Sequence, residues 1–163
     1  MQLSKNFTLS EFTLSQTAAR LGIDNTPSTE VIKNLIRTAE GMEEVRLLLK
    51  GNAIIISSGY RGAALNKAIK GSKTSQHMIG EACDFTCPRF GTVDEIMKVI
   101  IASRIQFDQC IKEFSTWIHI SFSSTPRKQA LIIDANGTNT DWQSLIYNKN
   151  AFSQSLTTCN DIV

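Results

Sequence analysis

The sequence predicts an α+β domain in which a small, mainly antiparallel sheet is accompanied by N-terminal and flanking helices. Three observations carry that expectation. Helical patterns come first in the chain. Short apolar, β-rich runs follow, interrupted by further helical stretches. Two of those runs stand close enough in sequence to form a hairpin. A length of 163 residues suits one domain with a sizeable core, and 42% hydrophobic with 20% charged residues is an ordinary globular balance.

Thr8 reads as a helix cap with Glu11 at the capping-box position, and Phe7 and Phe12 have the spacing of a hydrophobic staple. "TLSQTAARLG" then continues to a stop at Gly22. The longest helix is expected from a Thr26 cap, with Pro27 in its first turn, to an end at Gly51. Val31, Leu35, Ala39, Met42, Val45 and Leu49 recur at helical spacing and should form its buried stripe. Ala53 to Ser57 is an apolar run that reads as a strand closed by Gly59. A short helix around Ala63 to Ile69 and the loop "KGSKTS" lead to a second strand, "EACDF". "TVDEIMKVIIAS" is an amphipathic helix with a second capping box, Thr92 and Glu95. "FDQCIKEF" and "WIHISF" are the hairpin strands, and "QALIIDANG" is one more strand, ending in an Asn-Gly turn signal.

Composition narrows the function. The net charge is +2, with no long basic run and no aromatic-basic stripe, so nucleic-acid binding has little electrostatic support. No apolar run is long enough to span a membrane. "MQLSKNFTLSEF" has no apolar signal region, so synthesis in the cytoplasm is expected. Cys83, Cys87, Cys110 and Cys159 contain no CxxC pair and read as reduced, mostly buried thiols, with Cys83 and Cys87 as alternative metal ligands.

The chemistry concentrates in "SQHMIGEACDF", Ser75 to Phe85, which holds one of the two histidines. The stretch also holds Asp84, seven residues after His77. With the second histidine, His119, they offer two imidazoles and a carboxylate, a set that suits Zn²⁺. Three protein ligands leave a fourth position for water, the composition of a catalytic zinc site. On composition alone, each of the three also reads as an ordinary core or surface residue with satisfied hydrogen bonds.

The form Ser-x-His-x-x-Gly-x-Ala-x-Asp resembles the signature of the zinc D-Ala-D-Ala carboxypeptidase and endopeptidase family, peptidase family M15, whose fold is shared with Hedgehog signalling domains. "SSGYRGAALNKAIKGS" is similar to that family's Ser-Gly-Tyr-Arg segment, and "FDQCIKEFSTWIHISF" to its last motif. "NFTLSEFTLSQTAARLGIDNTP" resembles the lead-in of a small subgroup found in phage and prophage genomes. The likeness runs from Asn6 to Phe122, and the three motifs occur in the family's order.

The resemblance implies one Zn²⁺ held by His77, Asp84 and His119. It implies that Arg61 faces the substrate, gripping a carboxylate or stabilising an oxyanion, as a forked, always-charged guanidinium can; the other reading of Arg61 is an ion pair. Ser75 would brace the site by hydrogen bonding or bond its own backbone. Gly80 would allow close backbone approach beside the metal. Trp117 would wall the pocket and stack on substrate, or pack in the core. Lys70 and Lys73 would attract an anionic wall peptide or be simply solvated.

The general base departs from the family pattern. Some members carry an acid three residues before the last histidine; here Thr116 stands there and cannot take a proton. Glu113 is the nearest candidate. A two-residue hairpin loop would pair it with Ile118 and point it away from the site. A three-residue loop, Ser115 to Trp117, sets Glu113 opposite His119. That register also gathers Phe114, Ile118, Ile120 and Phe122 on an apolar face, and Gln109, Glu113, His119 and Ser121 on the other. Glu113 is therefore the expected base, Asp108 its substitute, and Glu81 is expected exposed.

The expected protein is a monomeric zinc peptidase domain over residues 1–145, followed by a polar segment, 146–163, that is partly disordered, above all from Leu156 to Val163. Its substrate would be the peptides of bacterial peptidoglycan, cut as a carboxypeptidase or endopeptidase, with neither nucleic acid nor membrane as partner. It would reach the wall after release, as a phage endolysin does, or as part of a virion. A non-catalytic, zinc-stabilised binding module of the same fold is the alternative, kept open by Thr116.

Overall fold

The computed structural model describes residues 1–140. The boundary expected at residue 145, the polar segment 146–163 and Cys159 lie outside them. Within them the α+β expectation holds. Five α-helices accompany one six-stranded sheet ordered β1-β2-β4-β3-β5-β6. The strands are β1 (Ile55–Ser58), β2 (Ala82–Thr86), β3 (Gln109–Glu113), β4 (Trp117–Ser121), β5 (Gln129–Asp134) and β6 (Gly137–Asn139). Every pairing is antiparallel except β3 with β5, which run parallel. β5 and β6 meet across the Asn-Gly turn.

The N-terminal helix breaks in two, as α1 (Leu9–Thr13) and α2 (Gln16–Leu21). Ser15 restarts the helix because its side chain accepts the Ala18 N–H, a cap inside what read as one continuous pattern. Glu11 accepts from the Thr8 N–H and hydroxyl, and Phe7 meets Phe12 edge to face, with ring centroids 6.0 Å apart.

The long helix, α3 (Thr29–Leu48), starts later than expected. Ser28 is its cap, accepting from the Val31 N–H, while Thr26 is held by the Asp24 carboxylate. A residue before proline is pushed toward extended backbone, so Thr26 belongs to the approach and not to the helix. Leu35, Ala39, Met42, Val45 and Leu49 are fully buried, and Val31 packs at the margin. α4 (Ala63–Ala68) and α5 (Val93–Ala102) follow, the latter with its Thr92–Glu95 capping box in place.

Strand alternation sorts the sheet into two faces. Cys83, Phe85, Cys110, Ile118 and Ile120 belong to the core with α3 and α5 residues such as Met42 and Ile100. The opposite face of the central strands carries Asp84, Ile111, Glu113, Trp117 and His119. Cys83, Cys87 and Cys110 are buried free thiols. Burial pushes the Cys110 thiol up to about 12. Among the described residues no helix is long and apolar enough to cross a membrane.

Candidate metal centre

Asp84 and His119 face each other in register on the paired strands β2 and β4. His77 reaches the same point from a 3-10 turn, Gln76–Ile79, just before β2. Gly80 ends that turn at φ +77°, and a Cβ there would meet the Val31 carbonyl oxygen at 2.9 Å. The left-handed conformation and the close approach to α3 both require glycine. Buried Thr38 then donates its hydroxyl to the Gly80 carbonyl at 2.8 Å, and Asn34 donates to Ile79 at 2.9 Å. α3 thus fixes the turn that carries His77.

His77 Nε2 lies 3.1 Å from Asp84 Oδ1 and 3.1 Å from His119 Nδ1, and His119 Nδ1 lies 2.9 Å from Asp84 Oδ1. A tetrahedral zinc with ligands at 2.0–2.1 Å sets neighbouring donor atoms about 3.3 Å apart, so this triangle has the right size. The proton positions sharpen the fit. His77 Nδ1 is 2.7 Å from the Gly59 carbonyl oxygen, and only an N–H can bond there. Burial holds the His77 pKa below its ordinary value, so the ring is neutral and Nε2 presents a lone pair. That lone pair is aimed at a carboxylate oxygen and at a second imidazole nitrogen. Three such atoms, each within reach of the others, could hold one cation. They are the one such cluster among the described residues, and all three are buried.

Burial alone would raise the Asp84 pKa, but the close contacts with His119 and His77 outweigh it and hold the carboxyl well below the usual carboxylate range. Its second oxygen accepts from Arg61 Nη2 at 2.9 Å. Arg61 is therefore tied to Asp84 by an ion pair as well as standing at the edge of the site. Its Nε makes no hydrogen bond among the described residues. The segment around it is clamped by Asn25, whose amide donates to the Thr13 and Tyr60 carbonyls and accepts from the Gly62 N–H. Gly59 lies so close to Phe12 that a Cβ there would overlap the Phe12 carbonyl.

Glu113 falls on the metal face, by a different register from the one expected. The hairpin loop has three residues, but they are Phe114, Ser115 and Thr116, so Glu113 pairs with Trp117 and Ile111 with His119. The two registers differ by two residues, so the face is unchanged. Phe114 is the part that fails. It adopts φ +49° in the turn and is 54% exposed, so it does not join Ile118, Ile120 and Phe122 in the core. Burial, then the Asp84 charge, raises the Glu113 pKa, and Trp117 Nε1 donates to Glu113 Oε2 at 3.2 Å. The Glu113 and His119 positions are diagonal neighbours, within reach of long side chains.

Other expectations fare differently. Asp108 is buried and already engaged: Arg127 donates to both of its oxygens and Gln76 Nε2 donates at 2.9 Å. Arg127 holds its carboxyl below the ordinary value, so it braces the residue before His77 and is a poor proton acceptor. Glu81 is not exposed; it is half-buried against Arg37 at 3.3 Å. The Ser75 side chain makes no hydrogen bond among the described residues; its backbone shapes the turn, with its N–H on Ser72 and its carbonyl accepting from Met78. Lys70 and Lys73 line a separate hollow beside α4. Asn25, Thr38 and Gln76 are the supporting residues that sequence reasoning missed. Of these, only Gln76, next to His77, carried a positional signal.

A family model described as Peptidase M15 matches residues 5–121. Those residues hold the whole N-terminal clamp, all three converging side chains, Arg61 and Glu113. No curated protein matches the chain.

Proposed function

Starting from the fact that the chain belongs to the peptidase M15 family, we propose that it is a zinc metallopeptidase that hydrolyses an amide bond in bacterial peptidoglycan peptides. The observation that carries this reading is the triangle of His77, Asp84 and His119 atoms about 3 Å on a side, with the His77 lone pair turned inward. Zinc held by these three residues would supply a Lewis acid and would acidify a water at neutral pH.

The chain's own residues do the rest. The Gly59 carbonyl fixes the His77 tautomer, and Arg61 orients Asp84. Glu113 takes the proton of the attacking water and later returns it to the leaving amine. A raised pKa suits both transfers, because the same group must accept and release a proton near neutral pH. Trp117 steers the Glu113 carboxylate through its indole N–H. The Arg61 charge stands ready for a substrate carbonyl or carboxylate. Peptidoglycan is the substrate class the family suggests. Action at the wall after release, as an endolysin or a virion-borne hydrolase, suits such a substrate.

The test is hydrolysis of purified peptidoglycan by the zinc-loaded protein, with Glu113→Gln in parallel and released fragments identified by mass spectrometry. New amino groups with wild type, and few with the variant, are expected. Zinc-loaded wild type that releases none from any wall tested would exclude the peptidase reading and leave a binding module of the same fold.

A further inference from the structure

β1 is the terminal strand of the sheet, and its outer edge pairs with no strand among the described residues. Such an edge offers a row of N–H and C=O groups to any extended chain beside it. Here the edge is walled. A groove of about 620 Å³ runs between β1 and the bend joining α1 to α2, a size typical of ligand sites. Ile56, Ser57 and Ser58 form one side, and Leu14, Gln16 and Thr17 the other.

The groove ends at the metal centre. Gly59 and Arg61 line it, and the same two residues hold His77 and Asp84. Ser58 stands directly opposite Asp84 across the β1–β2 pairing, and a register shift between Ile56 and Ser58 interrupts that pairing. Irregularities of this kind re-aim an edge strand beside an active site.

We propose that this groove is a substrate subsite that takes an extended stretch of peptide as an added strand on the free edge of β1, delivering the bond to be cut past Arg61 to the metal centre. The inference rests on the peptidase reading and adds to it a path and a chemical preference. Main-chain pairing supplies affinity in this mode, and the flanking side chains supply selectivity. Arg61 is the only cation of the lining, and the Glu11 carboxylate is already taken by Thr8. The remaining walls are hydroxyl, amide and aliphatic, with one aromatic ring, Tyr60, and with Leu14 78% exposed at the rim. The segment bound there is therefore one of small uncharged side chains, its carbonyl or carboxylate toward Arg61.

The experiment uses the zinc-loaded, full-length Glu113→Gln protein, isotope-labelled and titrated with soluble muropeptides released from peptidoglycan by a muramidase. Amide shifts should move at Ile56 to Ser58 and at Ser15 to Thr17. Gln16→Trp fills the groove from an exposed helix position, and Leu14→Arg is a second obstruction at the rim. Each should weaken muropeptide binding about tenfold or more. In the otherwise wild-type enzyme each should raise KM with kcat and zinc content retained. Shifts confined to β2 and β4, or unchanged affinity in both obstructed variants, would overturn the subsite. Hydrolysis by wild type without the groove shifts sinks the subsite and spares the peptidase reading; groove shifts without hydrolysis do the reverse.

Discussion

Asp84 and His119 stand opposite each other on β2 and β4, Oδ1 to Nδ1 at 2.9 Å, on interior strands of the sheet. The pairing that builds the sheet also sets two side chains that could hold a metal at the spacing this requires. Replacing either by alanine should abolish stoichiometric zinc. Elemental analysis after gel filtration checks this, and a folded variant that keeps one zinc per chain would refute the ligand set. Strong chelators should stop hydrolysis in the same way, and readded zinc should restore it.

Glu113 should control the acid limb of activity. Its carboxylate is the active form and its pKa is raised above the ordinary 4.5, so activity should climb with pH through a value higher than that. Glu113→Gln should cost about 10²–10⁴-fold in kcat with zinc retained. Trp117→Phe removes a hydrogen bond that favours the carboxylate, so the acid limb should move to higher pH. A pH–rate profile that stays in place, or moves down, would contradict the steering role of Trp117.

Asp108 should matter for stability. Asp108→Asn weakens charged hydrogen bonds to Arg127 and Gln76, worth about 1.5–3 kcal/mol, or roughly 3–12 °C in Tm. The sign follows from its lowered pKa. The contribution is full above the unfolded value of 3.8 and fades as pH falls through the lower folded value. Thermal melts of both proteins from neutral pH downward should therefore converge in strong acid.

Gly80→Ala should cost about 1–3 kcal/mol, because a side chain at φ +77° is strained and would press on α3. Thr38→Val should cost about 1–3 kcal/mol by leaving the Gly80 carbonyl unpaired in the interior. Both should also weaken zinc binding, read by competition with a chromophoric chelator. Intact zinc affinity in destabilised variants would separate the turn from the metal centre.

Much of this was legible in the sequence where one residue does one job. The α3 stripe, both Thr–Glu capping pairs and the Phe7–Phe12 contact follow from local spacing alone. The side of the sheet on which Glu113 falls was legible too, because parity survives a register error of two. What escaped were contacts between distant segments. Asn25 meets residues 12 and 35 or more positions away, and Thr38 meets Gly80 at a separation of 42. No local pattern announces such bonds. The break at Ser15 escaped because a cap within a helical pattern looks like one more polar residue on the exposed face.

The separation of the ligands also sets an order of events. His77 and Asp84 lie seven residues apart, but His119 lies 35 residues beyond Asp84, on a strand that follows α5 and β3. The third donor arrives only when the β3–β4 hairpin has docked on β2. On the proposed ligand set metal loading would follow sheet formation, and stopped-flow refolding should show zinc leaving the rate of sheet formation unchanged while slowing its loss.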